Sequence, residues 1–399
     1  MRWPLLLLFY AAGVPASCES LVLKVDIPAG YSGFQPAGLH TLGEGTVLAG
    51  SAAASTGDWR PLLVFVSNEI EYRTHKEIAG SGSELLIDTV DNGLRLYVLS
   101  NLRGAGTSTG PAIQSMKIAS VSPEGELAWS SILGGQGFAN AGDLSFDKQS
   151  ATVAALGWID DSGGDLDSSL GGWDIMVALF ELGGRRRWQT AIGSRQDEVG
   201  GKVLATPEVV HVFYNSWNPK GGWDMVMARI DADTGAVQRK RRLQGRGSDA
   251  VADFLLLPDG NYSVLCTTTS EGGPWGASRG KTDIALLEVS PRGRIVRCRR
   301  FGWVGSEYAH RLLDLGEGSW GIVGVTDSLE DQAGKRVGGF DILLLTVDGA
   351  GKLLETRRAG TLEDDWPVAV VAGAGRLDVL AVTKPAARQG MPFIARFER

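Results

Sequence analysis

Short, fully apolar runs of strand length recur along the chain, and the clearest copies each begin at an Asp that follows a Gly-containing turn. Runs such as IMVALFE and ILLLTVD, bounded by Gly, are typical of strands that are buried on both faces. The opening Asp residues, roughly 50 to 60 positions apart, are Asp174, Asp224, Asp283 and Asp341. A residue that recurs in four units predicts a structural role, and we expect these carboxylates to hold the turn that leads into the inner strand.

The remainder of each unit repeats as well. A tight turn follows the apolar run, then a more polar strand ends at a Gly, and an acidic residue follows. These junction acids are Asp197, Asp249, Glu307 and Asp364. A third strand, a second tight turn such as Pro258 to Gly260 and a fourth apolar strand complete the unit. Four short antiparallel strands in each repeat predict a β-propeller blade.

The two ends of the chain complement each other. Met391–Glu398 resembles a first strand, Leu21–Gly30 resembles a second, and the segment to Ser51 supplies a third and a fourth. One C-terminal strand and three N-terminal strands would then form a composite blade that closes the ring and removes open sheet edges. With six other units, two of them weaker copies before residue 160, we predict an all-β propeller of seven four-stranded blades. Six or eight blades are the alternatives, and we expect residues 21–399 to form one domain.

The Gly-Gly-x-Asp opening, Trp129 and Trp188 in the second strand, the Gly–acid junction and the Asp–Gly turn resemble bacterial exported seven-bladed β-propeller repeat proteins. The segment from Ile230 to Gly235 also resembles the repeat of quinoprotein-like propeller lipoproteins. The first resemblance implies an exported binding or repeat protein. The second is an alternative that carries no expectation of a quinone cofactor.

The N-terminus has the pattern of a targeting segment. Arg2 precedes the short apolar run Trp3–Ala12, and small residues follow it. We predict a signal peptide at residues 1–17, cleaved either near Ala16 or before Cys18, which would then be lipidated. The predicted location is periplasmic, cell-surface or lipid-anchored, and a membrane contact is expected only through such an anchor.

Composition narrows the classes of partner. The chain has 399 residues, 43% of them hydrophobic and 21% charged, and its formal net charge of −7 argues against a nucleic-acid partner. Arg and Lys concentrate on the polar second strands, either as a band for an anionic ligand or neutralised by neighbouring acids. With three Cys, the chain is no disulfide-rich scaffold, and Cys266 and Cys298 are either two buried thiols or a pair. We expect a monomer.

Propeller geometry separates two faces. Tight turns lie on one face, here called the turn face, and the longer connections lie on the other, here called the loop face. Variable loops on a rigid scaffold are where binding usually resides, and flat rings beside carboxylates suit a sugar or a basic peptide. The candidate ligand-binding residues on the loop face are Trp158, Trp217, Trp275, Trp303, Glu307, Tyr308 and Trp366.

One acidic loop is a candidate metal site. Asp160, Asp161, Asp165 and Asp167 lie among Gly and Ser and could supply oxygen ligands to calcium, or they form a solvated acidic loop. No other cofactor is expected.

Catalytic motifs are missing from the sequence: no nucleophile elbow, phosphate loop or nucleotide fingerprint occurs, and the four His lie in different units. We therefore predict a non-catalytic binding or scaffolding propeller of the cell envelope or periplasm that recognises a protein or a glycan through the loop face. The alternative is a polysaccharide-active hydrolase or lyase that uses loop-face carboxylates such as Glu307, for which fold alone is no exclusion.

Overall fold

The protein folds into a ring of seven antiparallel sheets of four strands each, which confirms the seven-bladed propeller. This computed structural model describes residues 20–26, 28–42, 45–67, 70–78, 83–103, 114–134, 137–160, 170–331, 334–373, 375–384 and 390–398. Within these ranges, no helix is long and apolar enough to cross a bilayer.

The strands are numbered along the chain, and each blade is numbered by its position in the ring. Blade 1 contains β2 (Tyr31–Leu42), β3 (Gly45–Ala54), β4 (Trp59–Val66) and β5 (Tyr72–Glu77). Blade 2 contains β6 (Ser83–Asp91), β7 (Leu96–Arg103), β8 (Gln114–Val121) and β9 (Leu127–Leu133). Blade 3 contains β10 (Ala139–Asp147), β11 (Thr152–Ile159), β12 (Asp174–Glu181) and β13 (Arg186–Ile192). Blade 4 contains β14 (Glu198–Ala205), β15 (Val209–Asn218), β16 (Gly222–Asp231) and β17 (Val237–Leu243).

The remaining blades follow the same order. Blade 5 contains β18 (Asp249–Leu256), β19 (Tyr262–Thr268), β20 (Asp283–Val289) and β21 (Ile295–Phe301). Blade 6 contains β22 (Glu307–Gly316), β23 (Ser319–Thr326), β26 (Asp341–Asp348) and β27 (Leu353–Ala359), with the short hairpin of β24 (Glu330–Asp331) and β25 (Gly334–Lys335) between its middle strands. Blade 7 contains β28 (Asp364–Gly373), β29 (Arg376–Lys384), β30 (Met391–Glu398) and, as its outer strand, β1 (Ser20–Lys24).

The ends of the chain close the ring, but not in the predicted proportion. β1 pairs antiparallel with β30, with Val22 opposite Ala395. The composite blade thus holds three C-terminal strands and one N-terminal strand, whereas the sequence predicted one and three. The sequence assigned the wrong strand as the first of each blade, because a four-strand repeat can be divided before any of its strands. Only the hydrogen bonding of the folded sheets shows where each sheet begins.

Because the repeat was divided at the wrong strand, the apolar runs also occupy a different position in the blade from the predicted one. They are the third strands of their sheets, not the inner ones, and the innermost strands are those that begin at the Gly–acid junction. First strands of neighbouring blades contact one another around the ring, as at β10 with β14 and β18 with β22. The two faces keep their predicted connections, because a shift of two strands exchanges only turns with turns and loops with loops.

Every inner strand contains a β-bulge at the same place. The pairing register shifts just before Gly38, Asp88, Asp143, Lys202, Asp253, Arg311 and Ala369. A bulge frees main-chain N–H groups from the ladder and leaves them in need of another acceptor.

Side chains of the preceding blade accept many of these hydrogen bonds. Leu144 N donates to Asp88 Oδ2 at 2.8 Å, Val203 N to Asp143 Oδ2 at 2.8 Å, and Leu312 N to Asp253 Oδ2 at 2.9 Å. Further donors reach Ser51, Asn101, Asn215 and Thr267. The bulge is therefore where one blade is fastened to the next.

Cys266 and Cys298 are free thiols, the first buried and the second half-buried. They lie on β19 and β21, with β20 between them. Two strand spacings of about 4.8 Å alone place their Cα atoms at least about 9.5 Å apart, which is too far for a disulfide without movement of the backbone.

We expect Asp143→Ala to lower the free energy of unfolding by roughly 2–4 kcal/mol. The substitution leaves Val203 N without its acceptor and Lys202 Nζ without the carboxylate that it contacts at 2.7 Å. Urea unfolding measures the change. Asp233→Ala, on an exposed turn, is the matched control and should change stability by less than about 0.5 kcal/mol. Equal effects of the two substitutions would contradict the fastening role.

Candidate functional site on the loop face

Three aromatic rings form one patch on the loop face of blades 6 and 7, here called the aromatic patch. Tyr308 lies at the start of β22, Phe340 precedes β26, and Trp366 lies at the start of β28. The ring centroids are 5.7 Å apart for Tyr308 and Phe340, 5.2 Å for Phe340 and Trp366, and 6.1 Å for Tyr308 and Trp366. Tyr308 is 36% exposed, and the other two are half-buried against the core.

Charged groups border the aromatic patch. Lys384 Nζ, at the end of β29, lies 5.8 Å from the centroid of the Trp366 ring. Asp364 Oδ1 accepts a hydrogen bond from Phe340 N at 2.9 Å, and Glu363 and Asp364 are both exposed. The patch thus combines aromatic faces with one cation and two carboxylates.

The other predicted aromatic residues do not join this patch. Trp217, 39% exposed, contacts Trp223 edge-to-face at 5.3 Å and forms a smaller pair on the loop face of blade 4. Trp158 and Trp303 are half-buried and pack on separate core clusters. Trp275, in the one-turn helix Gly273–Trp275, is buried in the core shared by blades 4 and 5.

Glu307 is fully buried rather than exposed on the loop face. Its carboxylate accepts hydrogen bonds from Thr326 Oγ1 at 2.8 Å, Ser328 Oγ at 2.7 Å and Trp303 N at 2.9 Å. Burial raises the pKa of Glu307. The group is bound within the junction, whereas its neighbour Tyr308 faces outward.

The junction of Glu307 repeats around half of the ring. The buried acids at these junctions are Glu198, Asp249, Glu307 and Asp365. The sequence named Asp249 and Glu307 correctly, but at two junctions it chose the preceding residue. Asp197 and Asp364 instead accept hydrogen bonds from the main-chain N–H groups of Trp173 and Phe340. Two adjacent acids cannot be ranked by sequence, because successive side chains of a strand point to opposite faces and only the folded sheet shows which of the two faces inward.

The opening Asp residues are buried beside these acids. Main-chain N–H groups donate to them, as Leu170 N does to Asp174 Oδ2 at 2.8 Å and Val337 N to Asp341 Oδ2 at 2.9 Å. Arg residues from the outer strands pair with three of them, as Arg242–Asp224, Arg300–Asp283 and Arg358–Asp341. These arginines therefore neutralise acids, as one of the two sequence interpretations expected.

A Gly separates the two carboxylates at each junction. A Cβ atom on Gly193 would overlap Asp174 Oδ1 and lie 3.1 Å from Glu198 Oε2, and Gly302 has the same relation to Asp283 and Glu307. No side chain fits there, which explains the Gly before each acid. Burial raises the pKa of Asp249 and of Asp365 to about 6, and the neighbouring Asp224 or Asp341 carboxylate adds to the effect.

The predicted calcium loop and lipidation site fall almost wholly outside the described residues. Of the four acids, only Asp160 is described, and its Oδ1 accepts a hydrogen bond from Phe138 N at 2.6 Å. Asp161, Asp165, Asp167, Cys18 and the signal peptide lie outside. In the part of the chain that the structure describes, no group of three or more His, Cys, Asp or Glu residues could hold a metal ion.

A set of charges near the axis of the ring went unnoticed in the sequence. Asp88, Asp143, Lys202, Asp253 and Arg311 follow the bulges of five consecutive inner strands. Burial, with the neighbouring Asp143 carboxylate, raises the pKa of Asp88 to about 6. The sequence did contain a signal for these charges, because each of the five lies four residues after the first or second residue of its strand.

No family model matches the sequence, and no curated protein matches it significantly. A structure of a protein of unknown function from Dyadobacter fermentans is similar, with 11% identity, 95% of this chain and 98% of that chain covered, and a TM-score of 0.50. A crystal structure of a puromycin hydrolase is similar at 15% identity and a TM-score of 0.50, over 89% of this chain. The chain spans 51% of that hydrolase. At these identities the likeness shows the propeller fold alone.

The raised pKa values predict that stability falls as the pH rises through about 6. A carboxyl whose pKa is higher in the folded state binds its proton more tightly there, so its stabilisation is complete below the unfolded pKa and is lost above the folded one. For Asp365→Asn we expect stability to fall less steeply with pH than in the wild type between about pH 4 and pH 6, by a fraction of the limit of about 1.4 kcal/mol per pH unit for one proton. Urea unfolding at several pH values measures it. Parallel profiles for the variant and the wild type would contradict the assignment.

Proposed function

We propose that this propeller is a non-catalytic recognition protein that binds a glycan through the aromatic patch on the loop face. The observation that carries the proposal is the meeting of Tyr308, Phe340 and Trp366 across two blades, with centroids 5.2 to 6.1 Å apart. Sugar rings present C–H faces that pack on aromatic rings, while their hydroxyls need nearby polar groups. Lys384 and Asp364 supply such groups at the border.

The burial of Glu307 also favours recognition over turnover. A glycosidase needs two carboxyl groups that reach the substrate from opposite sides of the scissile bond. Glu307 is 0% exposed and accepts hydrogen bonds from three groups of its own junction. The polysaccharide-active alternative would therefore have to use other carboxylates, such as the exposed Glu363 and Asp364.

The cellular part of the proposal rests on sequence alone. Arg2, the apolar run to Ala12 and the small residues before Cys18 support export to the cell envelope or periplasm. A scaffolding role, in which the same patch contacts a protein, is the second form of recognition that the experiment must distinguish.

We expect Tyr308→Ala to weaken glycan binding about tenfold or more while changing the melting temperature little, because Tyr308 is partly exposed. A panel of soluble oligosaccharides, followed by calorimetric titration of the best ligand, measures binding. Tyr72→Ala is the matched control, since Tyr72 is 39% exposed on the outer strand of blade 1.

Reducing-end release is measured on the same panel. Binding without release supports recognition. Release that Glu363→Gln or Asp364→Asn abolishes would replace the proposal with the hydrolase alternative. A panel without any binder, together with a protein partner whose capture needs Tyr308, would assign the patch to protein scaffolding instead.

A further inference from the structure

Two arginines lie directly opposite each other on blade 4. Arg229 of the third strand β16 pairs in register with Arg239 of the outer strand β17, and the two are here called the arginine pair. The Cβ atoms of directly opposite residues are about 4.5–5.5 Å apart, and like charges at this separation destabilise a sheet. An anion between the two guanidinium groups would remove the repulsion.

Two other blades have a carboxylate beside the arginine at this level. In blade 5 the residues at the matching position are Glu288 and Arg297, whose Oε2 and Nη2 atoms are 2.9 Å apart. In blade 7 Arg396 donates to both oxygens of Asp378, at 2.7 and 2.9 Å. Among the described strands, like charges stand directly opposite each other at this position in blade 4 alone.

His211 stands where blade 7 has Asp378. It lies opposite Arg229 on the second strand β15, as Asp378 lies opposite Arg396. The imidazole is 5% exposed, and its Nδ1 shares a hydrogen bond of 2.8 Å with Tyr262 Oη of blade 5. Burial, with the Arg229 charge, lowers the pKa of His211 to about 4, so the ring is neutral at pH 7. The second strand therefore supplies no anion to the arginine pair.

The other neighbours of the arginine pair do not neutralise it either. Among the described residues, neither Arg229 nor Arg239 forms a salt bridge, and Arg229 Nε is buried without a hydrogen-bond partner. Asp231 lies two residues further along β16, but its carboxylate is used within its own turn. It accepts hydrogen bonds from Thr234 N, Thr234 Oγ1 and Gln238 Nε2. The guanidinium groups thus have donors to offer to a ligand.

The surroundings add positive charge and leave the arginine pair open to solvent. Arg241, next on the same side of β17, lies under a tight turn of blade 5, where a Cβ on Gly293 would be 2.6 Å from Arg241 Cβ. The same turn carries Arg292 and Arg294, both exposed. The arginine pair is half-buried and Arg241 is exposed. These arginines therefore meet solvent at the outer edge of the ring, where blades 4 and 5 adjoin.

We propose that the arginine pair binds a tetrahedral oxyanion, a phosphate or sulfate group, at the outer edge of the ring between blades 4 and 5. The planar fork of an arginine donates two N–H groups to such an oxyanion. Arg229 and Arg239 supply these forks, and Arg241 adds charge from the side of the blade 5 turn. The anion takes the place that the Glu288 and Asp378 carboxylates have in blades 5 and 7. The site lies away from the aromatic patch and does not depend on the proposed glycan binding.

Calorimetric titration of the full chain with inorganic phosphate, in a chloride buffer of low ionic strength, tests the proposal. We expect one saturable site. Arg229→Gln nearly keeps the length of the side chain but removes its charge, and should weaken phosphate binding about tenfold or more. Arg297→Gln is the matched control, because Glu288 already neutralises that arginine, and it should leave the affinity within about twofold of the wild type.

A second variant reverses one charge of the arginine pair. Arg239→Glu gives the sheet its own carboxylate at this position, as in blade 5, so it should abolish phosphate binding and raise the melting temperature. Phosphate should raise the melting temperature of the wild type and of Arg297→Gln, but not that of Arg239→Glu. If Arg239→Glu does not fold by circular dichroism, Arg229→Gln carries the test. No saturable phosphate binding by the folded wild type would overturn the proposal, as would binding that survives both substitutions.

The source of the oxyanion is distinguished by a third measurement. Vesicles of phosphatidylcholine that contain phosphatidic acid present the phosphate group on a lipid, whereas inorganic phosphate presents it free. Sedimentation of the wild type with these vesicles, lost in Arg239→Glu, would assign the site to a lipid headgroup. Binding of inorganic phosphate without sedimentation would assign it to a soluble phosphate or sulfate. Equal sedimentation of both proteins, together with no binding of the free ion, would contradict the site.

Discussion

The hydrogen-bond ladders of this protein stay within single blades, so the ring depends on what joins one blade to the next. The bulge in every inner strand meets this constraint. It turns main-chain N–H groups out of the ladder, and Asp88, Asp143 and Asp253 of the preceding blades accept them. Apolar packing is not directional, whereas these hydrogen bonds set the height of one sheet against its neighbour. A few main-chain bonds at the loop face, such as Glu307 N to Thr282 O at 3.0 Å, act in the same direction.

The junction carboxylates show how a structural problem can resemble a catalytic site. Two acids lie beside each other around a Gly that no other residue can replace, and burial raises the pKa of several of them. Arg242, Arg300 and Arg358 balance the opening Asp at three junctions, whereas Ala191 stands at the matching register position beside Asp174. Buried ion pairs of this kind cost much desolvation and give little net stability, but loss of one partner is expensive. This explains why the acids and the arginines recur together.

Aromatic residues serve two separate purposes in the ring. Trp129 and Trp188 are structural, because each packs between two neighbouring blades and donates its indole N–H to a main-chain carbonyl of the next blade. Tyr308, Phe340 and Trp366 contact one another at the surface, where the loops of blades 6 and 7 meet.

The sequence by itself determined the repeat, the strand count and the pairing of the two ends, because apolar runs, Gly turns and period are local properties. It also indicated the structural role of Asp174, Asp224, Asp283 and Asp341, since a residue that recurs in four units is expected to do the same structural task in each of them. Only the tertiary structure decided which strand of the repeat is innermost, since this depends on which edge faces the axis. It likewise decided that Glu307 and Trp275 are buried while Tyr308 is exposed, and that Phe340 joins the patch. Contacts between blades link residues far apart in the chain, and no local pattern records the direction in which a loop side chain points.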